Sequence, residues 1–343
     1  MNSSYFLASN SAFGFHSLYD ELRDGCEKML IIKAGPGCGK STFMRRVAKN
    51  MTARGLSCEY VHCSSDPDSL DALIVPEKGL VIADGTSPHV IEPKYPLAVE
   101  SYLDLSKFAD ADAISEARDE IISVSDAYRD EYQSAYQYIS CMGNLYDECY
   151  RLALRATDIE KLIRRANSLA EREIKGRGGK AGIKSCFNSA ISSAGFVSLY
   201  DNCPHTIVID DSFGLSHIVL EKLRDFALKR DMEVICSYNP LKPTLLSNLF
   251  IKEVPIAFVT RDKNNTYPYP YMRKIHLDGA VDIKKLKSER YKFVKKLYRI
   301  IEDEAYLSLG RAKALHDRLE KIYNPHIDFD ALMRYADEVS ESL

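Results

Sequence analysis

A long-range internal repeat restricts the architecture of this chain more than any other feature of its sequence. Residues 14–20 read GFHSLYD and residues 195–201 read GFVSLYD, so six of seven positions are identical at an offset of 181 residues. At the same offset, three further residues recur: Ser4, Phe6 and Ser11 are matched by Ser185, Phe187 and Ser192. Because a repeat of this length means that one structural unit occurs twice, we expect a tandem duplication with halves at 1–181 and 182–343.

The first part of each half has the pattern of an α/β fold. Short apolar runs without alternation occupy residues 29–32, 59–63 and 79–83, as is typical of buried parallel strands. In both halves the order is helix, strand, proline-containing loop, short helix and strand. We therefore predict a three-layer α/β core with a parallel sheet at about 1–97, and a second such core at about 185–278.

The second part of each half has a helical pattern. Residues 98–174 contain no proline and a single glycine, which favours two or three long amphipathic helices. Residues 282–343 have the same character, with a break expected at Asn324 and Pro325 because proline interrupts a helix. Long helical segments are thus expected after each α/β core.

A glycine-rich basic linker is predicted at about 175–184, where four glycines alternate with four cations. One interpretation is a flexible, solvated tether. The alternative is a mobile loop from which Arg177 or Lys180 reaches a bound phosphate.

The strongest chemical signal is the sequence AGPGCGKST at residues 34–42. An apolar strand leads into it, and a helix-forming segment at 41–54 follows, before Gly55. Glycine adopts positive φ at low cost, so the backbone can curl and present N–H groups to phosphate oxygens, assisted by the helix N-terminus. This context indicates a Walker A loop and a P-loop NTPase fold. The expected nucleotide contacts are Gly35, Pro36, Gly37, Cys38, Gly39, Lys40, Ser41 and Thr42.

Three residues have predicted roles in phosphate chemistry. Lys40 would pair with the β- and γ-phosphates, and the Ser41 hydroxyl would ligate Mg²⁺. The run LVIAD ends at Asp84, which we assign as the Walker B aspartate and second Mg²⁺ ligand. Cys38 lies beside the helix N-terminus, so we expect an acidic thiol whose alkylation blocks nucleotide binding.

The group that would activate the attacking nucleophile is less well defined. Asp84 is followed by GTSPH and not by the glutamate that many ATP-hydrolysing P-loop proteins use. The candidates are Asp66, Asp68 and Asp71, which follow the strand at 59–63, and His89. Thr86 or His89 is a candidate sensor of the γ-phosphate. For each of these residues a structural role in a turn or cap is the alternative.

The second half lacks the glycine-rich loop. Its strand at 206–209 runs into DDSFGLSH, and Leu215 stands where Lys40 stands in the first half. Two carboxylates, Asp210 and Asp211, replace the small residues, so electrostatic repulsion disfavours an anion there. The pair is expected to cap the following helix, or to approach a metal or a basic group.

Composition and charge give no support to several classes of protein. The chain has 46 Lys plus Arg and 49 Asp plus Glu, a balance that indicates neither nucleic acid nor an anionic membrane surface as a partner. No apolar run is long enough to span a bilayer, and the N-terminus lacks the pattern of a secretory signal. Nine cysteines without a CxxC pair favour a cytoplasmic protein with free thiols.

The Walker A loop, the segment HCSSDPDSLD at 62–71 and the segment DGTSPH at 84–89 together carry a family resemblance. In these motifs the chain resembles an uncharacterised bacterial family of tandem-duplicated P-loop ATPase-like proteins, and the resemblance covers nearly the whole length. It implies a duplicated P-loop NTPase fold that binds nucleotide. In that family the second half can also carry a P-loop, which this chain lacks, so a second active site is not implied.

Our first functional hypothesis is an MgATP-binding protein that hydrolyses ATP slowly or on stimulation by a partner. Lys40, Ser41 and Asp84 form its core, and the helical segments would contact a protein partner. ATP is favoured over GTP because no guanine-recognition motif is evident. One alternative is a small-kinase-type phosphotransferase in which Asp66 or Asp68 orients an acceptor hydroxyl. Another is a non-enzymatic switch or scaffold gated by nucleotide.

Overall fold

The computed structural model describes residues 3–87, 90–286 and 288–343, which form two compact units. The first unit contains the chain up to Leu7, Tyr19–Ser134 and Leu307–Leu343; the second contains Ala8–Leu18 and Ala135–Tyr306. Each unit includes the α/β core of one half of the repeat. The helical segments are divided differently from the repeat, because the last part of the chain belongs to the first unit.

The strands lie mainly in two six-stranded sheets, one in each unit. In chain order they are β1 (Ser3–Phe6), β2 (Ala8–Ser11), β3 (Gly14–Ser17), β4 (Lys28–Lys33), β5 (Glu59–His62), β6 (Leu70–Val75), β7 (Leu80–Asp84), β8 (Glu100–Asp104), β9 (Gly182–Cys186), β10 (Ser189–Ser192), β11 (Gly195–Ser198), β12 (Thr206–Asp210), β13 (Glu233–Tyr238), β14 (Leu246–Ile251), β15 (Ile256–Arg261) and β16 (Arg273–His276).

The α-helices are α1 (Lys40–Ala53), α2 (Ala111–Glu116), α3 (Arg118–Arg155), α4 (Ile159–Glu173), α5 (Ser216–Leu228), α6 (Ile283–Leu286), α7 (Glu289–Tyr323) and α8 (Phe329–Glu341). The predicted break near Asn324 is confirmed: α7 ends at Tyr323, a short 3₁₀ turn follows, and α8 begins after Asp328. The Asp328 side chain accepts a hydrogen bond from the backbone nitrogen of Ala331 over 2.8 Å, which caps α8.

Both sheets have the same strand order. In the first unit the order is β1-β5-β6-β7-β4-β8, and in the second, read from the matching edge, it is β9-β13-β14-β15-β12-β16. β4, which leads into the glycine-rich loop, therefore corresponds to β12 in the second unit, as the sequence repeat requires. A two-unit α/β fold is confirmed at this level.

The expectation of a parallel sheet is wrong, because each sheet is mixed. β6 runs antiparallel to both β5 and β7, and β14 runs antiparallel to β13 and β15. The short helix expected before residue 79 is in fact β6, whose six residues are mostly apolar and buried. A run of that length is too short for a helical period to be distinguished from a strand.

A second correction concerns the segment at 98–174, which is not helical from its start. β8 occupies Glu100–Asp104 and forms the edge of the first sheet, parallel to β4. Glu100 and Leu103 are buried, whereas Tyr102 and Asp104 are exposed, so this edge strand is only partly covered. The α3 and α4 helices that follow confirm the prediction of long helices.

The strongest sequence repeat forms the same hairpin turn in both copies. Gly14 and Gly195 have φ of 92° and 90°, which glycine adopts without steric cost. The Ser11 hydroxyl donates to the Gly14 carbonyl over 2.7 Å, and the Ser192 hydroxyl donates to the Gly195 carbonyl over 2.9 Å. The repeated serine and glycine are therefore both needed to close this turn.

Each unit has its own apolar core. In the first unit, α1 contributes Phe43 and Met44, and α8 contributes Leu332 and Ala336 to a core beneath the sheet. In the second unit, buried residues of α4 and α5 pack with those of the second sheet. Within the described residues, no helix combines the length and apolar character that crossing a membrane requires.

Candidate functional site

The glycine-rich loop connects β4 to α1 in the first unit. Gly37 and Gly39 have φ of 68° and 75°, the left-handed conformation that side chains disfavour. Among the described residues, no side chain caps α1 at Gly39, and the first turn of α1 has no acidic residue. Its first N–H groups therefore lack a carboxylate partner, which is the arrangement that favours an anionic ligand.

Lys40 and Asp84 form an ion pair beside this loop. Lys40 Nζ lies 2.9 Å from Asp84 Oδ2 and 2.8 Å from the Thr86 hydroxyl oxygen. Asp84 stands at the end of β7, next to β4, where it is paired in register with Ile32. Thr86 donates to Asp84 Oδ1 from its hydroxyl over 2.6 Å and from its backbone nitrogen over 2.9 Å. Lys40 and Asp84 are thus in contact, and Thr86 orients the Asp84 carboxylate.

Ser41 lies at the same end of the loop. Its hydroxyl accepts a hydrogen bond from the backbone nitrogen of Leu70 over 3.1 Å. The Ser41 hydroxyl and the Asp84 carboxylate are both oxygen donors, the class of ligand that Mg²⁺ prefers. The chemistry of this donor set therefore fits Mg²⁺, with several positions left for water and phosphate oxygens.

The loop between β5 and β6 carries the predicted aspartates. Asp66 accepts a hydrogen bond from the Ser69 hydroxyl over 3.0 Å, and its Oδ2 lies 3.5 Å from Lys313 Nζ. Asp68 contributes its backbone carbonyl, which accepts from the Arg45 guanidinium. Both residues border the same cavity as Lys40, so the structure brings the four predicted catalytic residues together.

Asp71 is buried and occupied by a structural contact. The Tyr19 hydroxyl donates to Asp71 Oδ2 over 2.6 Å. Burial, together with the negative charge of Asp71, raises the pKa of Tyr19 well above its usual value, so this hydroxyl stays protonated and continues to donate. Of the two roles considered for Asp71, the contact with Tyr19 favours the structural one. His89 lies outside the described residues.

A cavity of about 450 Å³ adjoins the loop. Sequence reasoning missed the residues of its other wall, which come from α3, α7, the 3₁₀ turn after α7 and the start of α8: Tyr128, Tyr132, Lys313, His316, Glu320, Asn324 and Phe329. Lys313, His316 and Glu320 recur every three or four positions along α7, so they share one helix face. The spacing is visible in the sequence. The sequence does not indicate, however, that this face of α7 lines the cavity beside the glycine-rich loop of the first half.

The helical wall approaches the glycine-rich loop closely. A Cβ added at Gly37 would lie 2.6 Å from the Asn324 side-chain amide and 3.0 Å from Glu320 Cα. When its nitrogen faces the loop, that amide donates to the Gly37 carbonyl over 2.7 Å. A Cβ at Gly39 would lie 3.2 Å from Phe329. Glycine is thus required here for close packing as well as for its φ.

The prediction of an acidic thiol at Cys38 is wrong. The residue is only 2% exposed, and burial raises the pKa of its thiol, although a backbone hydrogen bond to Gly35 and the charge of Lys40 oppose the shift. Desolvation disfavours the thiolate more than the nearby positive groups favour it. Cys38 is consequently a packing residue of the loop and not a reactive one.

In the second unit, the two aspartates of the altered loop have different partners. Asp211 accepts hydrogen bonds from the backbone nitrogens of Ser216, over 2.6 Å, and Phe213, over 3.0 Å. Asp210 pairs with Arg261 over 2.6 Å. Burial acts to raise the pKa of Asp210, but hydrogen bonds from Arg261 and a neighbouring lysine hold it below its usual value. One aspartate thus caps the helix and the other meets basic groups.

A cavity of about 460 Å³ borders this altered loop, and tyrosines form much of its lining: Tyr146, Tyr150, Tyr291, Tyr298 and Tyr306. A Cβ added at Gly214, whose φ is 77°, would lie 2.6 Å from the Tyr146 hydroxyl. An aromatic side chain therefore packs onto the loop. The Asp211 carboxylate already accepts from the start of α5, so no N–H of Ser216 is left for phosphate.

The predicted basic linker also lies in the second unit. Arg177 forms an exposed ion pair with Asp231 over 2.7 Å, and the backbone nitrogen of Gly178 donates to the Arg230 carbonyl over 2.8 Å. Residues from Gly182 onward form β9. Much of the segment is therefore tied to the second unit, which argues against a freely mobile tether.

Comparison with known proteins shows a similarity over part of the chain. The family model described as Nephrocystin 3, N-terminal, matches residues 12–73, a stretch that includes β4, the glycine-rich loop and α1. The match covers well under half of the chain. No curated protein and no solved structure matches it significantly.

Proposed function

We propose that the first unit is a P-loop NTPase core that binds MgATP and hydrolyses it slowly or on stimulation by a partner protein. The observation that carries this proposal is the uncapped start of α1 behind two positive-φ glycines, with the Lys40–Asp84 pair at the edge of a nucleotide-sized cavity. The similarity of residues 12–73 to the Nephrocystin 3 N-terminal family covers this loop. We further propose a duplicated P-loop ancestry and a cytoplasmic location.

Nucleotide binding would exchange the partners of Lys40. The ammonium group now contacts Asp84 and Thr86, and a triphosphate on the loop offers it a more highly charged acceptor. Asp84 and Ser41 are then the residues that would hold Mg²⁺, which supplies charge compensation for the phosphates. Thr86 keeps the Asp84 carboxylate oriented during this exchange, because it binds the other carboxylate oxygen.

A single nucleotide site follows from the contrast between the units. α1 begins without a side-chain cap, whereas the corresponding helix α5 receives the Asp211 carboxylate at Ser216. An anion at α5 would have to displace a carboxylate that is covalently part of the loop. The second unit therefore serves another purpose than triphosphate binding.

The test compares wild type with Lys40→Ala and with Lys49→Ala, an exposed lysine on the same helix. Two quantities are measured: the dissociation constant for MgATP and phosphate release from γ-labelled ATP. We expect Lys40→Ala to weaken binding at least about tenfold, roughly 1.4 kcal/mol, and to abolish release. Lys49→Ala should resemble wild type. Failure of the wild type to bind MgATP would refute the proposal, while binding without release would favour the phosphotransferase or the switch.

A further inference from the structure

We infer that Lys313 of α7 is a further catalytic residue, a cation supplied by the distant helix to the γ-phosphate of the bound nucleotide. This inference rests on the proposed function and names a residue that the motif does not contain. Lys313 borders the same cavity as Lys40 and Asp84. All three residues belong to the first unit.

The position of Lys313 is defined by a chain of contacts that starts at the Mg²⁺-facing end of the loop. The Ser41 hydroxyl contacts the backbone nitrogen of Leu70 over 3.1 Å. The preceding residue, Ser69, donates to Asp66 over 3.0 Å, and Asp66 lies 3.5 Å from Lys313 Nζ. Since Ser41 is the residue that would contact Mg²⁺ and the terminal phosphates, Lys313 lies near the γ-phosphate end of the site.

The geometry of α7 directs this side chain towards the cavity. Glu320 Cα lies against Gly37, and Lys313 precedes Glu320 by seven residues, which is about two helical turns or 10.5 Å. Residues separated by seven positions share a helix face. The face that touches the glycine-rich loop at Glu320 therefore passes over the cavity at Lys313, next to the loop that carries Asp66.

The other cations of the cavity are already engaged in different tasks. Among the described residues that line it, the lysines and arginines are Lys40, Arg45 and Lys313. Lys40 belongs to the glycine-rich loop, and Arg45 is held by the Asp68 carbonyl. Lys313 also has partners: it donates a hydrogen bond to Asp317 and lies 3.5 Å from Asp66. Both carboxylates are partly exposed, at 43% and 23%, so the ammonium group can move to a phosphate without leaving a buried charge unpaired.

Lys313 remains charged throughout the physiological pH range. Partial burial acts to lower its pKa, but the hydrogen bond to Asp317 and the charge of Asp66 raise it above the usual value. A permanently charged group opposite the P-loop is what phosphoryl transfer requires, because negative charge spreads over the γ-phosphate oxygens in the transition state.

The reaction that Lys313 would assist is ATP hydrolysis. The oxygen of a water molecule forms a bond to the γ-phosphorus while the bond from that phosphorus to the β–γ bridging oxygen breaks. ADP leaves with the electron pair, and the water protons pass to the released phosphate and to solvent. Lys313 contributes charge stabilisation and takes no proton.

The experiment separates binding from turnover in Lys313→Ala, Lys313→Arg and a control, Lys321→Ala, whose lysine is exposed on the same helix. We expect Lys313→Ala to lower kcat about 100-fold, as loss of one transition-state donor does in other enzymes, with the dissociation constant for MgATP changed less than about threefold. Lys313→Arg should recover most of the rate because it keeps the charge, and Lys321→Ala should match wild type.

The outcomes distinguish this inference from the proposed function. A kcat of Lys313→Ala within about threefold of wild type overturns the role of Lys313, as does a wild type that binds MgATP without turning it over. A rate that Lys313→Arg fails to restore, with unchanged thermal midpoint, also overturns it. If the wild type does not bind MgATP, the proposed function itself is refuted.

Discussion

Asp211 places its carboxylate 2.6 Å from the backbone nitrogen of Ser216 at the start of α5. The first unit has no such contact at the start of α1 among the described residues. Two helices in corresponding positions of the repeat therefore satisfy their first N–H groups in different ways. This difference is local to a few residues, and it is the basis of our proposal that an anion binds at the start of α1 but not at the start of α5.

Asp211→Ala should destabilise the second unit without creating a nucleotide site. Loss of a helix-capping acceptor costs about 1 kcal/mol, at most about 2. We expect a lower thermal midpoint by circular dichroism and no additional equivalent of MgATP by calorimetric titration. Asp211→Asn, which retains an acceptor oxygen, should lie between wild type and alanine. A second equivalent of bound ATP in Asp211→Ala would show that the second unit can bind nucleotide although Leu215 replaces the lysine.

Gly37→Ala should be more damaging than Gly55→Ala, although both glycines have positive φ, of 68° and 82°. At Gly55 a Cβ would meet nothing within 4 Å, so only the conformational penalty of about 1–2 kcal/mol applies. At Gly37 the Cβ would also collide with Asn324 and Glu320 Cα, adding about 1–3 kcal/mol. Thermal melting of the two variants measures the difference, and equal midpoints would contradict the close packing described here.

Cys38 should react slowly with iodoacetamide. Its 2% exposure and the raised pKa of its thiol both reduce the amount of accessible thiolate near pH 8. Mass spectrometry of timed labelling should show Cys38 modified at least about tenfold more slowly than Cys203, which is only partly buried. Faster labelling of Cys38 would mean that the loop opens in solution.

The contact between Arg46 and Asp337 predicts a pH dependence of stability. Hydrogen bonds from Arg46 and Asn50 lower the pKa of Asp337 from 3.8 to about 2. The carboxylate therefore stabilises the fold above about pH 4, and its contribution is lost as the pH falls from about 4 towards 2. Because the pair is exposed, the effect should amount to a few degrees at most in the thermal midpoint.

Asp337→Asn tests this dependence. Its midpoint should lie slightly below that of wild type at pH 7, and the difference should shrink as the pH falls through this window. Glu341→Gln, a neutralising change at the end of the same helix, is the matched control and should show no such convergence. A difference that stays constant between pH 7 and pH 3 would exclude the Arg46 pair as its cause.

The sequence was most informative where one residue type satisfies one geometric requirement. The left-handed backbone at Gly39 could be predicted from the loop alone, since glycine adopts positive φ at low cost, whereas the phosphate contact of Lys40 stays a prediction. Lys40, at the start of α1, and Asp84, at the end of β7, had separate predicted roles, and their ion pair became evident from the structure. Thr86 was recognised only as a candidate sensor, and its hydrogen bonds to Asp84 became evident from the structure.

The missed features depend on contacts that are distant in sequence. Leu70–Val75 is a strand because it pairs with β5 and β7, and a run of six mostly apolar residues does not reveal its partners. Glu320 of α7 and Asn324 of the following turn lie against the glycine-rich loop, and Lys313 of α7 lies against Asp66, although all three come from the second half of the sequence. Helical periodicity marks the inward face of α7 but not the sheet that it will cover.

The distribution of the chain between the units has a consequence for biogenesis. Arg46 on α1 and its partner Asp337 on α8 are separated by 291 residues, and the wall formed by Lys313 and Glu320 is almost as remote from the glycine-rich loop. A ribosome therefore synthesises the loop long before the helices that enclose it. The part of α1 that packs on α8 stays uncovered until α8 has been synthesised, so the first core cannot be completed during the synthesis of its own half of the repeat.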